Sequence, residues 1–361
     1  MEEVFNQQRT ILNRQRTAHD RQGTALDGRR AIFSTGRERA ALPFVLSCLG
    51  LMSVAALLAG LLPLQFSVLT VFLFAGPHNW MELRYFAASM PVGLGKSRNF
   101  FAVAIGGALI LTAAYAALPR VAGMAAWTDG DWRTGVAAWN SLLVGWIALL
   151  ARIRARQTSR RDWSWTVPVA CLLLAVNWYA PLLFSLSFVY LHPLMALWFL
   201  DRQLRRSRPQ WLKGYHLCLA LLPVLILLLW TQLRGSASLA ADGALATRIT
   251  AHAGAGLLPG VSSHLLVSTH VFLEMTHYGV WLLALPILGM RSAPWRLKSI
   301  PLVRHRRGWP RLTRAVLVAG AFVVLLLWVA FLADYPATRD LYFTVAMMHV
   351  LAEVPFILRM L

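Results

Sequence analysis

The sequence predicts an all-α fold, a polytopic integral membrane helical bundle of about ten transmembrane helices with both termini in the cytoplasm. Three observations carry this expectation: the composition, the length of the apolar runs, and the alternation of the basic connections. Of 361 residues, 58% are hydrophobic and 14% charged, and the mean hydropathy is +0.56. A water-soluble domain of this size would struggle to stay in solution with that balance.

A helix needs about 20 apolar residues to cross a bilayer core of about 30 Å. Runs that approach or exceed this length lie at 42–62, 63–87, 100–118, 134–150, 163–178, 181–200, 215–233, 262–290, 313–332 and 338–360. The formal net charge of +20 is concentrated in alternate connections. Arg9 to Arg39 precede the first run, Lys96 and Arg98 follow the second, and Arg152 to Arg161 follow the fourth. Arg202 to Lys213 follow the sixth, and Arg291 to Arg311 follow the eighth. The intervening connections are poor in Lys and Arg, which is the positive-inside pattern and places the chain in a bacterial inner (cytoplasmic) membrane. The basic charge is therefore assigned to topology and anionic lipid, and nucleic acid is not expected as a partner.

Residues 1–41 are polar, rich in Arg and Gln, and lack an apolar core, so they read as a basic cytoplasmic arm, disordered or interfacial, with no secretory signal. Residues 42–361 form the membrane domain, with 234–261 as a flexible external loop rich in Ala, Gly and Ser. Cys48, Cys171 and Cys218 all fall within apolar runs and read as apolar fillers.

The chemistry is expected where ionisable residues enter apolar runs, because burial at bilayer depth is costly without a partner or a ligand. Three glutamates do so, and each has a histidine four residues upstream: His78 with Glu82, His270 with Glu274, and His349 with Glu353. Residues four apart on a helix share a face, so imidazole and carboxylate can converge on one point. His277 extends one pair into His270-x-x-x-Glu274-x-x-His277, a stripe of three candidate ligands. The second, eighth and tenth runs share a direction in this topology, and at 1.5 Å per residue their pairs fall at similar depth. His192, beside Pro193, is a further candidate without a carboxylate at helical spacing. A shared proton or hydrogen bond would explain one such pair; three out of three, from ten histidines, favour a metal centre.

The expected metal ligands are His78, Glu82, His192, His270, Glu274, His277, His349 and Glu353, with Glu82, Glu274 and Glu353 also placed as the catalytic carboxylates. Imidazole and carboxylate without thiolate suit iron, manganese or zinc, one ion or two. Glu274-x-x-His277 also matches the Glu-x-x-His unit of helical di-iron carboxylate bundles. Trp80, Phe272, Tyr278, Trp281 and Phe356 are expected as apolar walls, and Arg84 and Arg359 are expected to snorkel to the surface. Gly76-Pro77 is expected to interrupt the second helix.

The run Gly76-Pro77-His78-Asn79-Trp80-Met81-Glu82 resembles the opening motif of bacterial membrane β-carotene-cleaving dioxygenases related to bacterio-opsin-linked proteins, with Leu83 where that family carries a second histidine. The resemblance implies a histidine-ligated non-haem iron acting on a long isoprenoid. The function expected is thus a membrane metalloenzyme, an iron-dependent oxygenase or oxidoreductase with a lipidic substrate, isoprenoid or acyl, drawn from the surrounding lipid. Two alternatives stand beside it: a divalent-metal transporter using the His-x-x-x-Glu pairs, and a haem or proton-handling redox subunit.

Overall fold

A backbone in apolar surroundings must satisfy its own N–H and C=O groups, and a helix does so within one segment. In the computed structural model, which describes residues 41–158, 162–240, 242–289, 295–305 and 308–361, every regular element is helical. The basic arm over residues 1–40, together with Arg160, Arg161, Arg291, Arg306 and Arg307, lies outside the described residues.

The helices are α1 (Ala41–Leu61), α2 (Pro63–Ser89), α3 (Arg98–Met124), α4 (Asp129–Gln157), α5 (Thr166–Tyr179), α6 (Pro181–Ser207), α7 (Leu212–Leu233) and α8 (Ala244–His252). They continue with α9 (Ser263–Gly279), a π-helical turn at Val280–Ala284, α10 (Leu285–Gly289), α11 (Pro301–Arg304), α12 (Pro310–Ala333) and α13 (Tyr335–Met360). Each apolar run of the sequence coincides with one helix, α9 running on through its π turn. Among the described residues, eight of these helices are long and apolar enough to cross a membrane. The two that fall short do so for different reasons. At 14 residues α5 spans only about 21 Å, whereas α2 has 27 residues but carries His78, Asn79, Glu82 and Arg84 in its second half.

Proline sets three of the corners. Leu62, Ala180 and Asp334 are single non-helical residues between consecutive helices, each followed at the first or second helical position by Pro63, Pro181 or Pro336. The ring forbids a continuing helical hydrogen bond and presets the next helix. The α3–α4 corner instead closes on a capping box, in which the Thr128 hydroxyl accepts from the Asp131 amide and the Asp131 carboxylate accepts from the Thr128 amide.

Inter-helix hydrogen bonds fix the directions. Trp139 and Trp146 of α4 donate to Leu111 and Val103 of α3, an antiparallel register. Trp80 donates to the Leu317 carbonyl and Trp328 to that of Phe72, so α2 and α12 are also antiparallel. Tyr335 reaches the Val68 carbonyl near the start of α2, and Arg359 reaches the Ser89 carbonyl at its end, making α2 and α13 parallel. Four helices close a box in the order α2, α9, α6, α13, each packed on the next. Outside the box, α1 and α7 back α9, α12 backs α2, and α3, α4 and α5 form the remaining wall. The outer helices expose rows of apolar side chains such as Leu57, Leu173, Leu228, Leu326 and Val329, a surface far more apolar than soluble proteins carry and suited to lipid.

Three local expectations are corrected. The α2 helix continues through Pro77; its backbone lies within packed helices that accommodate the lost bond. Arg84 is buried and donates to Ser299, and Arg359 ties α13 to α2 while lying over the Phe101 ring, so both arginines bind helix ends together instead of snorkelling. The segment expected as a flexible loop over 234–261 contains α8. Arg248 pairs with Asp340 and the Pro336 carbonyl, and Tyr190 donates to the Ala253 carbonyl. Gly254 follows with φ +92, and a Cβ there would meet Leu186 at 2.6 Å, so only glycine makes this turn at this distance from α6.

Candidate metal centre

Each side of the box contributes one imidazole. His78 of α2, His277 of α9, His192 of α6 and His349 of α13 form a ring in that order, with centroid separations of 5.3, 4.7, 4.9 and 5.3 Å around it. One turn further along their helices, Glu82 and Glu353 stand beneath the ring, at 1% and 0% exposure. The side chains fall into two overlapping sets. One ligand atom from each of His78, Glu82, His277 and His349 lies within 4.8 Å of the others, and the same holds for His192, His277 and Glu353. His277 belongs to both.

The electrostatics of this junction are unresolved by the protein alone. Both carboxylate oxygens of Glu82 and of Glu353 and Nδ1 of His192 are buried without a hydrogen-bond partner, and the buried ring nitrogens of His277 and Nδ1 of His349 have at most loose approaches to the Pro193 and Ala346 backbone that fall short of hydrogen-bond geometry. Each such atom costs about 1–3 kcal/mol when left unmet, and a cluster of them calls for a bound species. Some contacts do exist. The His192 Nε2 and His349 Nε2 atoms stand 3.1 Å apart, and His192 Nδ1 is 3.3 Å from Glu353. The Trp281 indole approaches Glu353 without reaching hydrogen-bond geometry.

His78 is oriented for ligation. Its Nδ1 lies 2.9 Å from the Phe74 carbonyl, one turn earlier on α2. A carbonyl can only accept, so Nδ1 carries the proton and Nε2 is left with its lone pair toward the ring. The donor set, four imidazoles and two carboxylates with no thiolate, fits one or two ions of iron, manganese or zinc. It differs from the carboxylate-rich di-iron bundle in its excess of histidine.

The third pair of the sequence does not join the others. His270 lies seven residues before His277, so the two share a face of α9 but stand about 10 Å apart along it, too far for one ion. Glu274 accepts a hydrogen bond from Tyr278 at 2.6 Å, and His270 packs against Tyr190 and His252. The expected stripe is therefore divided: His277 enters the imidazole ring, and His270 and Glu274 line a cavity that opens from it. That cavity, of about 530 Å³, reaches from His78, His192, His277 and His349 past Glu274 to His270 and His252, with Tyr115, Trp139, Phe188 and Met347 among its apolar walls. Its volume falls in the range of small-ligand sites. Beyond the carboxylates, the opposite end is closed by aromatics: Phe86 stacks on Phe356 at 4.2 Å, and Phe199 and Trp281 pack against Phe86.

Sequence reasoning missed His252 and the π turn at Val280–Ala284. His252 lies in the segment expected as an external loop, and α8 brings it into the cavity. The π turn follows His277 directly and carries Trp281; such turns concentrate at functional sites, and nothing in local spacing announces one.

No protein-family model, curated protein or solved structure matches this chain.

Proposed function

We propose that the chain is an integral membrane metalloenzyme holding two metal ions at the junction of α2, α6, α9 and α13, iron before manganese or zinc. It acts as an oxygenase or oxidoreductase on a lipidic substrate that enters the cavity. In this reading α2 and α5 also lie within the membrane, giving ten spans, and the arginine-rich end faces the cytoplasm of a bacterial inner membrane. The observation that carries the proposal is the convergence of unpartnered buried ligand atoms on four helices.

The first ion would be held by His78, Glu82, His277 and His349, and the second by His192, His277 and Glu353. Iron in such a set supplies redox chemistry with dioxygen at positions the protein leaves open. The chain's own contributions are definite. The Phe74 carbonyl fixes the tautomer of His78, the two glutamates neutralise cationic charge, and the aromatic floor excludes water from one side. The cavity wall admits an apolar chain to the other.

The aromatic packing beyond the carboxylates, Phe86 stacked on Phe356 with Phe199 and Trp281 against it, favours an enzyme over a divalent-metal transporter, because a passing ion needs polar ligands along its way out. Neighbouring imidazole centroids 4.7–5.3 Å apart suit small ions better than a haem macrocycle. Two measurements test the reading. Reconstituted in proteoliposomes, iron-loaded protein should consume dioxygen when lipid substrates are supplied and should hold its metal without time-dependent flux. Steady metal flux without oxygen consumption would replace the enzyme by the transporter.

A further inference from the structure

The end of the cavity away from the imidazole ring is polar in its own right. His252 of α8 and His270 of α9 both line it, their ring centroids 5.1 Å apart, with the Phe343 ring tilted against His252 at 4.3 Å. His270 is 6% exposed, and among the described residues neither imidazole is held by a hydrogen bond. Behind them Arg339, 3% exposed and with its Nε unpartnered, lies over the Phe343 ring at 4.5 Å. Its guanidinium stands within electrostatic range of His252, His270 and Glu274. Glu274 is the carboxylate on this stretch of the cavity wall, and Tyr278 already donates to it. His252 and His270, with the Arg339 guanidinium near them, thus stand beside one carboxylate that is already engaged, at the end of the cavity away from the four-imidazole ring.

We infer that His252 and His270, backed by Arg339, bind the carboxylate head of a long-chain fatty acid whose tail runs along the cavity to the imidazole ring. The inference rests on the cavity being the substrate site and narrows that reading to an acyl substrate, because a hydrocarbon isoprenoid has no head for these donors to bind. It also sets a ruler. His270 and His277 share one face of α9 about 10 Å apart, so a head bound at His270 presents an internal segment of the chain, not its carboxyl end, to the metal ligands. The partly buried donors would read the head by hydrogen bonds, and a head lacking an acceptor oxygen pair would leave them unmet.

The test uses the full-length, detergent-purified protein and cis-parinaric acid as a fluorescent fatty-acid probe, displaced by oleic acid or by oleyl alcohol of the same chain length. On the unaltered protein oleic acid should compete at least tenfold more tightly than the alcohol, about 1.4 kcal/mol. The preference should fall severalfold in His270→Ala and in His252→Ala, while the metal content of each stays that of the parent protein. Equal competition by acid and alcohol on the unaltered protein overturns the inference without relying on any variant. A folded His252→Ala/His270→Ala double variant that keeps the acid preference overturns it too. Metal content is measured separately on the same samples: acid-selective binding in protein that holds no metal supports this head site and removes the metalloenzyme reading, whereas bound metal without acid selectivity does the reverse.

Discussion

At the scale of residues, the chemistry of the centre depends on which histidines meet, and spacing along one helix reveals only part of that. His78 with Glu82 and His349 with Glu353 were legible as pairs four apart, and both pairs reach the imidazole ring. His270 with Glu274 has the same spacing but different neighbours, Tyr278, Tyr190 and His252, which no local pattern encodes. His192 shows the converse: it has no carboxylate near it in sequence, yet α6 places it between His277 and His349. Convergence is a property of four helices together, so sequence could name the candidates but not sort them. The role of Tyr278 gives a test at this scale. Tyr278→Phe leaves the Glu274 carboxylate buried without its donor, and should cost about 1–3 kcal/mol, read as a lower thermal midpoint with metal content unchanged. Loss of metal in that variant would place Glu274 among the ligands after all.

At the scale of elements, the helices themselves were legible because apolar length is written directly in the sequence. Their interruptions were not. Pro77 lies inside α2 without breaking it, Pro193 lies inside α6, and the π turn after α9 has no proline at all. What decides these outcomes is tertiary packing, which supplies or withholds partners for backbone groups. α8 makes the same point, since its Ala-rich sequence reads as a loop until Arg248, Asp340 and Tyr190 are seen to hold it. Close helix approach is a further feature visible only in the packed state. A Cβ at Gly107 would lie 2.0 Å from the Trp146 ring nitrogen, which donates to the Val103 carbonyl. Gly107→Ala must therefore push α3 and α4 apart, and a loss of about 1–3 kcal/mol is expected in thermal unfolding. An unchanged midpoint would mean that these helices pack less closely than described.

At the scale of the whole molecule, a chain that reverses direction at each long helix puts the four helices of the box, α2, α6, α9 and α13, in one direction, and in sequence the arginine-rich connections follow α2, α6 and α9. The cavity opens toward the other end. If the arginine-rich end is cytoplasmic, as the positive-inside rule requires, a membrane-impermeant maleimide should label Ala237→Cys in intact cells, in a background lacking the native cysteines. Ser207→Cys should label only after lysis. The reverse labelling would invert the orientation and move the cavity mouth to the cytoplasmic side. The central claim, the proposal that six side chains on four helices, four of them buried and two half-buried, hold metal, is independent of orientation. It is tested most directly by metal analysis of the detergent-purified protein beside His277→Ala, the residue shared by both ligand sets. Two equivalents of iron, manganese or zinc per chain in the parent protein, with most of that metal lost from a folded His277→Ala variant, is the result expected. Folded parent protein without stoichiometric metal, or a His277→Ala variant that keeps its full complement, would contradict the account.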